Sequence, residues 1–228
     1  MLLIQNIGAY GQEASQVIES VGCVSKVDGR QSSYSNQACG FGYRTSHFKK
    51  GHLKSEIVAH VVVRLSLGPA STPRYPELIR ACGEDCRDLK RLRETVIRLR
   101  RAKSMIYDPS DPNHRSAGSF FVNPIVSAET VDNVRTALQE QGLEEGQMPC
   151  FAQGDGQFKL SAAWLMDRAG FQKGFGKGSV GLSTNHCLAI VNRGGGKCDD
   201  IQALMATVQK GVLAKFGVQL SPEPVFWG

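Results

Sequence analysis

Asp199-Asp200-Ile201-Gln202-Ala203-Leu204-Met205-Ala206-Thr207-Val208-Gln209-Lys210-Gly211-Val212-Leu213-Ala214-Lys215-Phe216-Gly217 reads as one helix from about Asp199 to Phe216. Ile201, Leu204, Met205, Val208, Val212 and Leu213 recur at three- and four-residue spacing and form an apolar stripe, and Gly217 closes the helix. Working back along the chain, Ser161 caps a shorter helix that stops at Gly170, and Ser127 caps one that stops at Gly142. Short strands are expected between them, at Phe120–Val122, Cys187–Val191 and in the tail near Val218–Leu220. Further upstream stands the turn-rich stretch Asp108-Pro109-Ser110-Asp111-Pro112-Asn113, the best candidate for a domain boundary. Before it, Leu89, Leu92, Val96 and Leu99 predict a basic helix over roughly Glu84–Ala102. Strands are expected around Gly22–Val27 and Glu56–Leu67, and the run Ile57–Val63 reads as buried. Gln5–Gly11 reads as a glycine-bearing loop without a cap or a preceding strand, as if the chain began in mid-fold. Helices and strands mix without regular β-α alternation, so the fold class expected is α+β.

The chain has 228 residues, 41% hydrophobic and 21% charged, which suits one large or two modest globular domains. No apolar run reaches the length of a membrane span, and Gln5-Asn6 ends the apolar start too soon for a secretory signal. Seven cysteines at irregular spacing fit a reducing compartment, and the single C-x3-C pair, Cys82 and Cys86, has no second half for a zinc site. Net charge is +6, part of it in the run Arg87–Lys103. The plain reading of that run is a solvated helix face, and the sharper one is a polyanionic ligand. Aromatic residues are only 7% and no nucleic-acid motif is present, so a diphosphate-containing small molecule is the better match.

Gly176-Lys177-Gly178-Ser179-Val180-Gly181 fits G-x-G-x-x-G, but a helix precedes it and a strand follows, the reverse of a dinucleotide fingerprint, so it reads as a loop. Three other segments each place one reactive side chain where glycine or proline lets backbone approach a ligand. They are Phe41-Gly42-Tyr43-Arg44-Thr45-Ser46-His47-Phe48, Ala117-Gly118-Ser119-Phe120-Phe121-Val122-Asn123-Pro124 and Leu220-Ser221-Pro222-Glu223-Pro224-Val225. Taken singly they are a surface arginine, a strand-start serine and an exposed glutamate.

The five segments Ile4–Gly11, Phe41–Phe48, Ala117–Pro124, Leu160–Asp167 and Ser221–Gly228 resemble, in order and spacing, the motifs of the UDP-N-acetylenolpyruvoylglucosamine reductase family. The resemblance runs from first residue to last, and the long stretch Val126–Trp164 is similar to the longer of the family's two forms. It implies residues 1–104 as the C-terminal part of an FAD-binding, vanillyl-alcohol-oxidase-like domain. Residues 105–228 would be a substrate-binding α+β domain whose tail carries a catalytic glutamate. It implies FAD and NADPH as cofactors, UDP-N-acetylglucosamine enolpyruvate as substrate, UDP-N-acetylmuramate as product, a bacterial cytoplasmic location and a monomer. Neither a nucleic-acid partner nor a membrane span is expected.

Site residues follow from the same resemblance. Arg44 matches the arginine that meets the substrate carboxylate, Ser119 the proton donor, and Glu223 a glutamate that completes the site. Glu223 could act protonated, or by orienting Arg44 or a water. Asn6, Ile7 and Gly8 match a loop against the flavin, and Arg100 a cofactor-contacting arginine. Lys103, Tyr75, Asn123, Lys173 and His186 match substrate contacts; for His186 a satisfied histidine at a strand start is the competing reading. Arg44, Ser119 and Glu223 are expected to meet in one cleft. Phe151 stands where the long form presents a tyrosine, and Pro224 where a β-branched residue is usual. The family's upstream glycine-rich pyrophosphate turn is not found after Met1, so a missing front is expected. Loose packing before about Lys103 would follow from it. The alternative is a flavin-free UDP-sugar-binding module without activity.

Overall fold

The computed structural model describes residues 4–69, 72–84, 86–142 and 148–226. The chain divides into two compact units, Met1–Ile97 and Arg98–Gly228.

The first unit opens with β1 (Gly8–Ala9) and β2 (Gln12–Glu13), paired antiparallel, so the expected opening loop is in part a minimal hairpin. Its main sheet is antiparallel, with β3 (Ile18–Ser25) between β4 (Gln31–Ser35) and β5 (Glu56–Val63). The expected strands begin and end elsewhere: β3 starts earlier, and β5 stops at Val63. One short helix, α1 (His47–Lys50), is capped by Ser46 Oγ, which accepts from Lys49 N at 3.3 Å. Ile18, Val21, Cys23 and Cys39 form the core under Tyr34, Phe41, Phe48, Val58 and Val61. The sheet stays open on its other face, and Ile57, Val62 and Val63 are exposed. That corrects the expectation of a buried strand: this antiparallel sheet packs a core on one face, where Val58 and Val61 lie, and leaves the outer side chains of β5 exposed. The His60 ring on the paired strand lies over Gly22, in the space a Cβ there would take.

α2 (Pro76–Cys82) starts with proline at its first position, where no backbone donor is lost. α3 (Leu89–Ala102) starts five residues later than the expected Glu84, at the first residue of the apolar series, and the division between the two units falls within it. Asp88 sets the start, since its Oδ1 accepts from Lys90 N at 2.8 Å and Arg91 N at 3.1 Å. Leu89 is exposed, so the inward face of α3 is Leu92, Thr95, Val96 and Leu99.

The second unit holds β6 (Ile125–Ser127), α4 (Ala128–Glu140), β7 (Cys150–Gly154), β8 (Gln157–Leu160) and α5 (Ala162–Arg168). After these come β9 (Val180–Leu182), β10 (Ile190–Asn192) and α6 (Cys198–Phe216). Sheet order is β6-β8-β7, with a separate antiparallel pair β9-β10. Asp155 and Gly156 both take positive φ, 48° and 68°, which makes the β7–β8 connection the two-residue hairpin turn whose twist matches its strands.

The serine caps are those expected, Ser127 Oγ accepting from Thr130 N and Ser161 Oγ from Trp164 N, both at 3.3 Å. Gly142, Gly170 and Gly217 follow their helices with left-handed φ. One buried cluster joins α4, α5 and α6, with Val134, Leu138, Leu165, Met166, Val208 and Val212 at its centre. Leu213 leaves the expected stripe at 44% exposure, and Phe216 takes the buried place one helical turn on. Gly211, a costly residue inside a helix, is there because the Phe171 ring occupies the space of its side chain. Phe120–Val122 and Val218–Leu220 are not regular strands. Phe120–Val122 instead meets residues 221–223 through one bridge, Phe121 with Pro222, because Pro222, Pro224 and Pro124 carry no N–H to extend a ladder. Cys187–Val191 is a strand only from Ile190.

Candidate functional site

Asn6 organises the site residues of the first unit. It is 1% exposed and left-handed at φ 51°, a conformation asparagine tolerates. Its Nδ2 donates to Glu13 Oε2 at 2.8 Å and to Gly42 O at 3.0 Å, and its Oδ1 accepts from Ser15 N at 2.8 Å. These bonds tie the first loop to the turn Gly42–Thr45, closed by reciprocal backbone bonds of 3.1 and 3.2 Å. That turn sets Arg44 at φ 52°, an uncommon conformation for a long side chain. Arg44 reaches back to the loop: Nη1 donates to Asn6 O at 3.2 Å and Nη2 to Gly8 O at 2.9 Å. Ile7 O accepts from Ala14 N at 2.8 Å. Asn6, Ile7, Gly8 and Arg44, remote in sequence, thus share one place. Tyr75, 42% exposed, stands before α2 with its ring edge-on to Tyr10, centroids 5.5 Å apart.

In the second unit the backbone of Phe120 is a junction. Phe120 N donates to Leu188 O at 2.7 Å, and Glu223 N donates to Phe120 O at 2.8 Å. Val122 N adds a bond to Ser221 O at 3.0 Å. Phe120 and Phe121 are buried and anchor the segment, while Ser119 and Glu223 beside that junction are half-buried. Asn123 Oδ1 accepts from Ala162 N at 2.9 Å, so that oxygen serves the start of α5.

A second gathering point is the loop 183–188. Ser183 is fully buried, and its Oγ accepts from Asn185 N at 3.1 Å and His186 N at 3.3 Å. Asn185 Nδ2 donates to Ser104 Oγ at 2.9 Å, which brings the residue after Lys103 to the residue before His186. Gly174 N donates to Ser183 O at 3.0 Å, which brings in the neighbour of Lys173. The turn 108–113 is joined to the same loop: Asn113 Nδ2 donates to Thr184 Oγ1 and Thr184 N donates to Asn113 Oδ1, both at 3.0 Å. Lys103, Lys173 and His186 are therefore carried on segments that meet here, a basic setting suited to phosphate oxygens. Burial pushes the Cys187 thiol up, the Asp167 carboxylate adds to that, and the Lys173 charge opposes it. A thiol so held stays neutral and unreactive.

The remaining expected residues have these surroundings. Arg100 closes the turn after α3, its Nη2 donating to Met105 O at 2.9 Å. Phe151, 56% exposed, stands on β7 opposite Lys159. The loop Gly176–Gly181 faces a cation rather than a phosphate. Arg193 donates from Nη1 to Gly176 O at 2.8 Å and from Nη2 to Gly174 O at 3.2 Å and Leu182 O at 3.3 Å. A side chain at Gly181 would strike that guanidinium. Burial also raises the Cys82 thiol, helped by its hydrogen bond with Cys86. No group of three or more His, Cys, Asp or Glu among the described residues could hold a metal ion. No described helix is long and apolar enough to cross a membrane.

Sequence reasoning passed over Glu13, Ser104, Asn113, Ser183 and Arg193. Asn113 sits in a turn-rich stretch, which signals a turn but not the partner 71 positions away. The others carry no local signal.

A family profile described as UDP-N-acetylenolpyruvoylglucosamine reductase, C-terminal domain, matches residues 109–227. UDP-N-acetylenolpyruvoylglucosamine reductase from Thermobifida fusca is 45% identical over 229 residues, covering 99% of this chain and 64% of the relative. The protein of that name from Streptomyces coelicolor is 42% identical, covering 99% and 60%. The crystal structure of UDP-N-acetylenolpyruvylglucosamine reductase from Thermus caldophilus matches with a TM-score of 0.57 at 25% identity, over 99% of this chain and 59% of that one. The chain thus spans about three fifths of the length of these relatives.

Proposed function

The chain belongs to the UDP-N-acetylenolpyruvoylglucosamine reductase family, and from that premise we propose that its protein reduces the enolpyruvyl ether of a UDP-sugar to UDP-N-acetylmuramate, a step in bacterial peptidoglycan precursor synthesis. The observation that supports this reading is the Phe120 junction, where Glu223 N donates to the carbonyl of the residue after Ser119 although the two come from separate motifs. The location proposed is the bacterial cytoplasm and the state a monomer.

FAD and NADPH are the cofactors proposed. The Arg44 guanidinium, a planar cation with several N–H groups, suits the carbonyl-bearing edge of a flavin. Gly8 lies against Arg44, whose Nη1 would lie 3.3 Å from a Cβ built on Gly8. Asn6, Ile7, Gly8 and Arg44 would hold that edge, with Arg100 as a further contact. Bound FAD supplies hydride drawn from NADPH to the substrate's terminal alkene carbon.

What the chain's own residues do follows from charge. Hydride addition drives negative charge toward the substrate carboxylate. Arg44, whose planar fork matches a carboxylate, is positioned by fixed carbonyls to offset it without reorganising. A serine hydroxyl is a poor acid, so Ser119 gives its proton only to a strong base, which the developing enolate is. Glu223 completes the site by orienting its neighbours or by standing protonated. Lys103, Lys173 and His186 around loop 183–188, with Asn123 and Tyr75, hold the diphosphate and sugar. That grouping lies largely in one unit, which favours, as a second reading, a module that binds the UDP-sugar without turnover.

The test is to mix the purified protein with FAD, NADPH and UDP-N-acetylenolpyruvoylglucosamine, follow NADPH absorbance, and measure UDP-sugar binding by calorimetry. Sugar-dependent NADPH oxidation is expected. Binding without oxidation would select the binding module, and neither would refute both readings.

A further inference from the structure

Glu13 takes no part in the chemistry above, yet it stands under both carbonyls that Arg44 grips. Its backbone is in register with Gly8 across β1 and β2, and Gly8 O accepts from Arg44 Nη2 at 2.9 Å. Its carboxylate accepts from Asn6 Nδ2 at 2.8 Å, and Asn6 O accepts from Arg44 Nη1 at 3.2 Å. The packing about Gly8 is close: a Cβ there would lie 2.8 Å from Gln12 O and 3.0 Å from Glu13 Cγ. Asn6 and Arg44 both carry left-handed backbone, and such strain persists only where the surroundings over-determine it. Asn6 is buried and its amide spends both ends on this framework, so its carbonyl has little freedom to swing away.

We infer that Glu13 is a positioning residue for Arg44, fixing the guanidinium plane through Asn6 and Gly8 before the substrate carboxylate arrives. The inference rests on the role proposed for Arg44. An arginine side chain gives up considerable rotamer freedom when it is ordered. If the framework has already ordered it, the ligand need not, and binding is tighter by that amount. A glutamate serving only to stiffen the hairpin would leave Arg44 indifferent to its loss once the fold is intact.

Nitrogen-15 spectra of arginine side chains and calorimetry with the UDP-sugar, both on the whole chain, separate these cases. The Arg44 resonances are identified as those lost in Arg44→Ala. Two guanidinium nitrogens bonded to fixed carbonyls rotate slowly, and their signals should be resolved in the cold. In Glu13→Ala they should collapse, while Glu13→Gln, which keeps an acceptor oxygen, should restore them. Arg64, bonded to Glu19 at 2.7 and 3.2 Å on the sheet, is the internal control and should not change. Glu13→Ala should weaken UDP-N-acetylenolpyruvoylglucosamine roughly 2- to 10-fold, the cost of ordering one long side chain. On an Arg44→Ala background it should add nothing, since the two act as one unit. Unchanged Arg44 signals in Glu13→Ala, or Arg64 signals disturbed equally, would overturn the inference. If Arg44→Ala binds the sugar as tightly as the parent, the role proposed for Arg44 fails instead, and the spectra still decide whether Glu13 holds it.

Discussion

Asn113→Ala removes the only side chain that joins the turn 108–113 to the loop 183–188 by two mutual bonds among the described residues. Asn113 is buried, its Oδ1 accepts from Thr184 N at 3.0 Å, and its Nδ2 donates to Thr184 Oγ1 at 3.0 Å. Each such bond contributes about 0.5–1.5 kcal/mol net, and a buried donor left unsatisfied costs about 1–3 kcal/mol. Thr184 itself is exposed, so water can recover part of the loss and the lower end applies. The expected destabilisation is about 2 kcal/mol, or roughly a 4–10 °C fall in melting midpoint for a domain of this size. The local effect is sharper. Thr184 N should lose hydrogen-exchange protection, and loop 183–188, which carries His186 and meets the segment of Lys173, should loosen. UDP-sugar affinity should therefore fall more than an unrelated destabilisation of equal size would cause. Asn113→Asp refines the test, because it keeps the oxygen that receives Thr184 N but loses the donor and puts a carboxylate beside Asp111 Oδ1, now 3.2 Å from Nδ2. It should be at least as damaging as alanine. A melting shift below about 1 °C with unchanged Thr184 exchange would refute this account of how the loop is held.

Ser119→Ala should lower product formation by roughly 10²–10⁴-fold while UDP-sugar binding, measured by calorimetry, stays near the parent value; equal loss of both would point to a binding rather than a proton-donating role. Phe151→Tyr should tighten the UDP-sugar by about 0.5–1.5 kcal/mol if that position faces the diphosphate, and an unchanged titration would show that Phe151 lies away from it. Asp108 is held below the usual carboxylate range by the Ser110 hydroxyl and then its backbone N–H, and Asp111 by the Ser104 hydroxyl and then the Asn113 N–H. Because both are depressed in the folded chain, the turn's stabilisation is present above the ordinary value of 3.8 and lost as pH falls through the lower native values. The Ser110 and Asn113 amide shifts should titrate there, and shifts that move near or above 3.8 instead would contradict the hydrogen bonds described. Leu138, fully buried between helices, should cost about 2–5 kcal/mol as Leu138→Ala in urea unfolding.

How much of this was legible in advance depends on the range over which a residue acts. Ser127 and Ser161 cap helices, and Gly142, Gly170 and Gly217 follow them, because a cap acts on N–H or C=O groups within one helical turn. The motif around Gly176 could be read as a loop for a similar reason, since what precedes and follows it is local. The expected start of α3 lay upstream of its first apolar residue, Leu89, because an apolar pattern does not register a cap, and Asp88 sets the start by binding two backbone donors. Pattern also could not tell a strand buried on both faces from one buried on a single face. Ile57–Val63 is as apolar as a buried strand, and only the packing of the sheet, with its core on one face, leaves the outer side chains exposed.

The sequence by itself determined the three helices of the second unit with their caps, the α+β character and, through five ordered segments, the family, while α1 and α2 gave no signal in it. It could name Arg44, Ser119 and Glu223 by likeness, but it held nothing about what fixes them. Tertiary structure alone decided that Ser119 and Glu223 flank one backbone junction, that Arg44 is gripped by the carbonyls of Asn6 and Gly8, and that Asn113 closes on Thr184. The reason is that these are single hydrogen bonds between residues far apart in the chain. Each forms only after hydrophobic packing has already paid the entropy of bringing its partners together, and that packing is a property of the whole core rather than of any local stretch.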